Sequence, residues 1–399
     1  APAGAQMIDT PAQHAVILDN TTGEILFSKD GAEPMIPASM TKMMTAYLVF
    51  DMVKRGELKM TDRLTVSADA WRRGGFPSGT STMGLVPKDT PTIEELLHGV
   101  IIMSGNDACI VLAEGISGSE EAFAKRMTQL AHEKGLKSAN FLNSTGLEAV
   151  GHVISAEDLA RLAKLTIDDF PEYYDWYDLP AYSWREYTQP NRNPLLGIEG
   201  ADGLKTGHLE ASGYGLTGSA VRDGVRRTIV INGMESMAAR AAEGERMLRL
   251  AFQSFDLKTI APENVALPEQ KVWLGQERTV PVSLAEPMLI AGHKAAFDKA
   301  KTEIVLDKTL EAPVKKGDHV GRLVVTLDGR PPVEAPIIAE ADVKRLGLPR
   351  SRVVKASGSR RCSTRLPSGW RMPASESSRR GSPAGPGWLN AFGNWRFIH

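Results

Sequence analysis

Cysteine is nearly absent from this chain, because its 399 residues include only Cys109 and Cys362. Two cysteines this far apart provide neither a disulfide framework nor the paired spacing of a zinc site. No paired metal-ligand spacing occurs either among the histidines at positions 98, 132, 152 and 208. The sequence therefore indicates no metal site, and its low cysteine use is compatible with an exported bacterial protein.

Long apolar runs and a strong net charge are also missing. No run of about 18 apolar residues occurs, so no membrane-spanning helix is predicted. Lys and Arg number 47 against 48 Asp and Glu, a net charge of -1. Residues 351–399 hold nine Lys or Arg and one Glu, a balance of +8, which leaves about -9 on the rest of the chain. An acidic body gives no reason to expect nucleic-acid binding.

The first half of the chain carries a hairpin pattern followed by helical patterns. Apolar runs at Ala15–Asp19 and Glu24–Ser28 flank a four-residue turn, which predicts a β-hairpin. Mostly helical periodicity then continues to about residue 170. It includes a capping box from Thr92 to Glu95 and a helix over residues 119–135.

Strand patterns return in the second half. Asp223-Gly224 lies between alternating apolar runs and predicts a second hairpin, and a long helix follows to near Phe255. Strands at both ends of this region predict one antiparallel sheet flanked by helices with a helical insert, an α+β fold. We expect this domain to cover residues 1–258.

After Pro262 the pattern changes to short strand-like runs separated by Gly, Pro and charged residues: KVWLG, RTVPVSL, MLIAG, TEIVL and GRLVVTL. Their spacing predicts a small all-β domain over residues 259–347. PIIAEADVKRLGL is expected to add a final strand and a turn of helix. Residues 348–399 are basic and rich in Ser, Arg, Pro and Gly, which predicts a disordered tail.

Three short motifs occur in order and carry groups suited to chemistry: Ser39-Met40-Thr41-Lys42, Ser104-Gly105-Asn106 and Lys205-Thr206-Gly207. Each has a structural alternative. The serine of the first is also a typical helix cap, SGN is a typical turn between helices, and KTG is a typical strand end. A lone Ser-x-x-Lys occurs about once by chance in a chain this long, so only the combination indicates a function.

The first motif suits nucleophilic catalysis. On a helix, residues three apart share a face, so Lys42 is expected beside Ser39. A serine hydroxyl needs a neighbouring base, and a lysine serves when burial and nearby cations lower its pKa. The helix N-terminus also offers the backbone N–H of Ser39 to an oxyanion.

The second motif extends the same chemistry. Gly105 is expected to permit a turn that presents Ser104 and Asn106 to one cleft. Ser104, placed next to Lys42, is suited to relay a proton, and the amide of Asn106 is suited to hold a substrate amide.

The third motif suits substrate binding. A strand edge can pair with an extended peptide. Lys205 and Thr206 supply a charge and a hydroxyl for a terminal carboxylate, and Gly207 leaves room for close approach. The N–H of His208 is the expected second oxyanion donor.

These motifs, in this order, resemble those of penicillin-binding proteins and serine β-lactamases. PASMTKMMT at 37–45, SGNDAC at 104–109, NRNPLL at 191–196 and DGLKTGH at 202–208 resemble the low-molecular-mass D-alanyl-D-alanine carboxypeptidases in particular. The likeness covers about residues 12–345. It implies a β-lactamase-like catalytic fold followed by a small β-rich domain.

The resemblance implies an enzyme that removes the terminal D-Ala from the peptidoglycan stem pentapeptide through an acyl-enzyme, without metal or organic cofactor. It also implies covalent binding of β-lactams. Together with the residue chemistry, it gives Ser39, Lys42, Ser104 and Asn106 as catalytic and Lys205, Thr206, Gly207, His208 and Arg240 as substrate-binding. Arg240 is the better match to an arginine that the family places near the carboxylate, Arg246 is a poorer one, and a solvated helix charge is the alternative.

Other functions remain open at this point. A β-lactamase is disfavoured because Gly105 stands where such enzymes carry Asp and because no Glu-x-x-Leu-Asn segment occurs. An endopeptidase or transpeptidase, or a sensor or scaffold with little turnover, shares the same acylation groups. Leu209 also departs from the family, which commonly has a small hydroxyl residue there.

The resemblance implies a periplasmic enzyme of a Gram-negative bacterium. The opening APAGAQ is typical either of a mature terminus after signal cleavage or of an ordinary chain end. Family members commonly end in an amphipathic membrane-binding helix, which the tail does not resemble. Its last residues still place aromatic and apolar side chains on one helical stripe, so peripheral association with the inner membrane is one hypothesis and an unrelated end is the other.

Overall fold

The computed structural model describes residues 8–261, 266–328 and 330–347, together with the backbone of Trp395–Arg396. It divides into two compact units. The first contains the described residues up to Thr259 together with Leu289–Phe297, and the second contains Ile260–Met288 and the described residues from Asp298 onward.

The strands are numbered in chain order. They are β1 (His14–Asp19), β2 (Ile25–Lys29), β3 (Pro34–Met35), β4 (Ile154–Ser155), β5 (Ala181–Trp184), β6 (Tyr187–Pro190), β7 (Ala201–Leu209), β8 (Gly213–Arg222), β9 (Val225–Met234), β10 (Phe255–Ala261), β11 (Leu267–Lys271), β12 (Thr279–Leu284), β13 (Met288–His293), β14 (Lys301–Leu306), β15 (His319–Thr326), β16 (Val333–Ala339) and β17 (Trp395–Arg396).

The helices are numbered in the same way. The α-helices are α1 (Lys42–Lys54), α2 (Ala68–Gly74), α3 (Ile93–Ile101), α4 (Asn106–Ser117), α5 (Glu120–Glu133), α6 (Ala156–Asp169), α7 (Pro171–Tyr174), α8 (Met237–Gln253) and α9 (Lys294–Phe297). Short 3₁₀ helices span Ala38–Thr41, Phe76–Ser78 and Asp175–Asp178.

The first unit is built on a five-stranded antiparallel sheet of order β2-β1-β9-β8-β7. Both predicted hairpins are confirmed, and β1 joins them by pairing with β9. Strands from the two ends of the region therefore do form one sheet, with helices α1 to α6 and the short β3–β4 pair between them in sequence. The α+β fold expected from the sequence is confirmed.

Side-chain alternation along the central strands gives this sheet two buried faces. Ile17, Ile229 and Ile231 belong to one apolar cluster, with Met247 and Leu248 of α8. Residues adjacent to them on the strands, among them Val16 and Val230, belong to the second cluster, which includes α1, α3, α4 and α6. Because successive residues of a strand point to opposite faces, both sides of the sheet are covered by helices. Each large side chain fully buried in this way contributes about 1.5–3 kcal/mol to folding.

Polar side-chain caps set the starts of α3, α5 and α8. The predicted capping box is present: Thr92 Oγ1 accepts from Glu95 N–H at 3.1 Å, and Glu95 Oε2 accepts from Thr92 N–H at 2.7 Å. Ser119 likewise caps α5 by accepting from Ala122 N–H, and Ser236 caps α8 by accepting from Ala239 N–H. Satisfying these N–H groups fixes where each helix begins.

The second unit contains a sheet of order β11-β12-β16-β15-β14-β17, which agrees with the all-β prediction. Strand β11 ends at Lys271, so only the start of KVWLG is extended in the sheet. The turn of helix predicted after β16 is wrong. Val343 instead forms a β-bridge with Val314. Backbone pairing with Val314 is preferred over the weak helical pattern of this segment.

The predicted disordered tail lies outside the described residues, except for the two-residue strand β17. The domain boundaries at 258 and 347 stay predictions. Among the residues that the structure describes, no helix has both the length and the apolar character needed to cross a bilayer.

Candidate active site

Ser39 lies in the 3₁₀ helix Ala38–Thr41, immediately before α1, rather than on α1 itself. It caps neither helix, because the N-cap residues are Pro37 and Thr41 and no side-chain cap bond is formed. The interpretation of Ser39 as a helix cap is therefore wrong. The tighter turn still places the side chain of Lys42 beside it, with 2.8 Å between Lys42 Nζ and Ser39 Oγ.

Lys42 is buried at the first position of α1 and is only 1% exposed. Its Nζ donates a second hydrogen bond to the carbonyl oxygen of Thr145 at 2.6 Å. Burial, helped by the positive charge of Arg192, lowers the pKa of Lys42 to about 8, while Cys109, Glu120 and Asp107 act against this shift. A lysine in this state supplies a neutral amine near neutral pH, as a general base requires.

The second motif follows α3. Ser104 adopts a left-handed backbone conformation with φ of +58° and accepts a hydrogen bond from Lys205 Nζ at 2.9 Å. The expected turn at Gly105 is wrong in detail, because Gly105 has an ordinary φ of -62°. Glycine is required there for space instead: a Cβ would lie 2.9 Å from both Met83 N and Asp107 Oδ1.

Asn106 is the first residue of α4 and is buried. Its Nδ2 donates to Thr80 Oγ1 at 2.9 Å. Its Oδ1 is buried and accepts no hydrogen bond from any described residue. A buried amide oxygen without a partner is costly, so this atom is suited to accept from a ligand N–H.

The third motif lies on β7, the edge strand of the sheet. Lys205 is buried, and burial first and the charge of Lys42 second hold its pKa well below the usual range. At Gly207 a Cβ would lie 2.7 Å from Pro37 O, so the missing side chain allows β7 to pack against the turn that carries Ser39. Leu209 ends the strand opposite Gly213.

Two arginines on α8 were candidates for the carboxylate site, and they have different surroundings. Arg246 donates to the carboxylate of Glu243 at 2.6 Å. Arg240 is 6% exposed, and its guanidinium lies over the ring of Tyr214 at 5.8 Å from the centroid. Its Nε has no hydrogen-bond partner among the described residues. Burial lowers the pKa of Arg240, which leaves it a buried cation suited to an anionic ligand.

A cleft of about 470 Å³ joins these groups, and it is lined by Ser39, Ser81, Ser104, Pro190, Asn191, Arg192, Thr206, Gly207, His208, Tyr214, Met237 and Arg240. Six of the nine candidate residues line it. Of the other three, Lys42 contacts Ser39 and Lys205 contacts Ser104, while Asn106 lies two residues after Ser104 in the chain. A larger open depression of about 660 Å³ along α5 contains none of them.

Comparison with known proteins shows the family to which this chain belongs. Residues 2–236 match the family model described as D-alanyl-D-alanine carboxypeptidase. The chain belongs to the D-alanyl-D-alanine carboxypeptidase family. Residues 255–345 also match the C-terminal domain of penicillin-binding protein 5. The protein is therefore a serine-type carboxypeptidase with the β-rich second domain that accompanies this family.

Relatives and solved structures support the same assignment. The chain is 35% identical over 344 residues to D-alanyl-D-alanine carboxypeptidase DacF of Bacillus subtilis, an alignment that covers 84% of this chain and 87% of the relative. It is similar to penicillin-binding protein 5 of Haemophilus influenzae, with a TM-score of 0.74, 33% identity and coverage of 86% and 100%. It also resembles ampicillin-bound penicillin-binding protein D2 of Listeria monocytogenes, with a TM-score of 0.55, 28% identity and coverage of 62% and 99%.

Sequence reasoning missed several residues that shape the carboxypeptidase site. The carboxylate of Asp107 accepts from Thr82 Oγ1 at 2.6 Å and from the N–H groups of Met83, Gly84 and Leu85 at 2.7, 3.0 and 3.0 Å. It thereby fixes the segment that carries Thr80. The signal was available in SGND, where an acidic residue in the first turn of a helix is suited to accept backbone N–H groups.

Arg192 was not predicted as a site residue, although it belongs to the NRNPLL segment that resembles the family. It lines the cleft, donates to Ser81 Oγ and to Gln189 Oε1, and lowers the pKa of both Lys42 and Lys205. Nothing in its local sequence indicates these contacts, because they depend on how the 181–192 segment packs against residues 80–82.

Proposed function

We propose that Ser39 is the nucleophile of this carboxypeptidase and Lys42 its general base. The 2.8 Å separation of Lys42 Nζ from Ser39 Oγ is the observation that carries the proposal. As a neutral amine, Lys42 keeps an N–H for the Thr145 carbonyl and has its lone pair free for the Ser39 proton. The oxygen of Ser39 attacks the carbonyl of the penultimate D-Ala, and Lys42 takes the proton.

Ser104 completes the proton path in this proposal. Its Oγ accepts from Lys205 Nζ, and Lys42 is close enough to Lys205 for its charge to lower the pKa of Lys205. The proton taken by Lys42 passes through Ser104 to the leaving nitrogen, and free D-Ala departs. Water then attacks the Ser39 ester with Lys42 again as base, which releases the shortened stem peptide and restores the hydroxyl.

The remaining candidate residues bind the substrate. Asn106 Oδ1 accepts the N–H of the substrate backbone. The terminal carboxylate lies against Lys205, Thr206 and Arg240, where buried cations strengthen charge-assisted hydrogen bonds. The backbone N–H groups of Ser39 and His208 hold the oxyanion. The substrate strand pairs with the free edge of β7, and Gly207 lets that strand pack against the turn that carries Ser39.

The substrate proposed for this site is the pentapeptide stem of peptidoglycan, and β-lactams are the proposed inhibitors, because their acyl-enzyme uses the same Ser39 oxygen. A structural neighbour solved in an ampicillin-bound form supports the second point. Since this substrate lies outside the cytoplasm, we infer a periplasmic location. Peripheral membrane association through residues 351–399 is part of the same proposal.

Release of D-Ala tests this function. Wild type, Ser39→Ala and the exposed-serine control Ser183→Ala are incubated with a stem pentapeptide, with a cross-linked stem dimer and with a fluorescent penicillin. We expect wild type and Ser183→Ala to release D-Ala from the pentapeptide and to retain the label, and Ser39→Ala to do neither. If wild type cleaved only the cross-linked dimer, the protein would be an endopeptidase instead. If wild type were labelled by the penicillin but released no D-Ala, it would be a sensor or scaffold.

A further inference from the structure

Two aromatic side chains, Phe76 and Tyr187, stay exposed although they contact each other. Phe76 is the first residue of the 3₁₀ helix Phe76–Ser78 and is 54% exposed. Tyr187 is the first residue of β6 and is 37% exposed. Their ring centroids are 5.2 Å apart with an interplanar angle of 69°. We call this pair the aromatic shelf. Large aromatic surface left in water at a cleft is typical of a binding surface.

The backbone beneath the shelf is shaped to hold the rings together. Gly84 has φ of +87°, and a Cβ there would lie 3.0 Å from Tyr187 Cδ1 and 3.2 Å from Phe76 Cζ. Any side chain at this position would therefore press on both rings and would also strain the backbone. The shelf is thus a defined element built from three separate segments.

The shelf is linked to the catalytic cleft by strand β6. Strand β6 runs from Tyr187 to Pro190, which lines the cleft, a distance of about 10 Å for three extended residues. Gln189 Nε2 donates to Thr82 O at 2.7 Å, which ties this strand to the segment beside Asn106. The phenol of Tyr187 is also close enough to Arg192 to raise its pKa against the lowering effect of burial.

The length of the substrate indicates what reaches the shelf. A stem peptide cleaved before its last residue has three further residues on the far side of the penultimate D-Ala. Extended, these span about 10 Å, after which the stem joins a sugar of the glycan strand. The face of a pyranose ring presents apolar C–H groups, and aromatic rings present a negative face that attracts them.

We propose that the aromatic shelf binds the sugar to which the stem peptide is attached. This rests on the proposed function, because it takes the glycan-linked stem as the substrate. The sugar lies on the exposed faces of Phe76 and Tyr187 while the D-Ala end occupies the cleft. The contact is remote from the scissile bond, so it adds binding without entering the chemistry.

Binding of product-like ligands tests the shelf without relying on turnover. The dissociation constants of N-acetylmuramyl-tetrapeptide and of the same tetrapeptide without sugar are measured by calorimetry. The proteins are wild type, Phe76→Ala/Tyr187→Ala, Tyr187→Phe and Leu142→Ala, the last an exposed apolar control on the segment after α5. Thermal unfolding checks that each variant is folded.

We expect wild type to bind the muramyl ligand more tightly than the free tetrapeptide. In the double variant the dissociation constant of the muramyl ligand should rise about five- to tenfold, while that of the free tetrapeptide should not change. Tyr187→Phe and Leu142→Ala should bind like wild type. Equal affinities of wild type for the two ligands, or an equal loss on both in the double variant, would overturn the proposal. Failure of the proposed function would show itself separately, as absence of D-Ala release.

Discussion

The pH dependence of acylation should report the ionisation of Lys42. Its pKa is lowered to about 8, so at pH 7 about a tenth of the amine is neutral and at pH 6 about a hundredth. Because burial disfavours the charged form, the neutral base becomes available well below the usual range of lysine. The second-order rate constant for acylation by a penicillin should therefore rise about tenfold per pH unit up to about pH 7 and level off above pH 8.

Stopped-flow measurement of acylation between pH 5.5 and 10.5 gives this profile. Lys42→Arg is the matched control, because its guanidinium stays protonated across the range. We expect this variant to lose about 10²- to 10⁴-fold in acylation rate, the usual contribution of a general base. A wild-type rate that keeps rising to pH 10, or one that does not change between pH 6 and 9, would refute the assignment of Lys42 as the base.

Three further variants test the surroundings of the site. Arg240→Ala should raise KM for a D-Ala-terminated peptide by at least about tenfold, whereas Arg246→Ala should leave KM unchanged; equal effects in steady-state assays would contradict a carboxylate role for Arg240. Gly207→Ala should slow acylation by about ten- to a hundredfold, because its Cβ would lie 2.7 Å from Pro37 O, and an unchanged rate of penicillin labelling would contradict this. Asp107→Ala should lower the free energy of unfolding by about 3 kcal/mol or more in urea, since it leaves several buried N–H groups unpaired, and a loss below 1 kcal/mol would show that water replaces the carboxylate.

The sheet and most helices follow from local patterns that the sequence displays directly. Each of these patterns predicts its own element. The turn residues Asp223-Gly224 predict a hairpin, Thr92 predicts the start of a helix, and the alternation of Ile229, Val230 and Ile231 predicts a strand with two buried faces. The short β5–β6 hairpin was not foreseen, because its strands have four residues each and are mostly exposed, so no buried face marks them.

The site was predicted as a set of residue types, but its geometry was not. The order of the three motifs was sufficient to bring Ser39, Ser104 and Lys205 together as candidates. Their exact conformations depend on packing: Ser104 rather than Gly105 takes the left-handed backbone, and Gly207 is needed for the approach of β7 to Pro37. Such requirements come from neighbours distant in sequence, which a local pattern cannot report.

The aromatic shelf was missed for the same reason. Phe76 and Tyr187 are more than a hundred residues apart, and each alone is an ordinary surface aromatic. Only the fold brings them into contact beside the cleft, above Gly84.

Peptide mapping of the penicillin adduct tests the role of Ser39 most directly. The protein is incubated with benzylpenicillin, digested, and analysed by mass spectrometry beside Ser39→Ala. We predict one added penicilloyl group, located on the peptide that contains Ser39 and absent from the variant. An adduct on any other residue, or a labelled Ser39→Ala protein, would contradict the assignment of Ser39 as the acylated nucleophile.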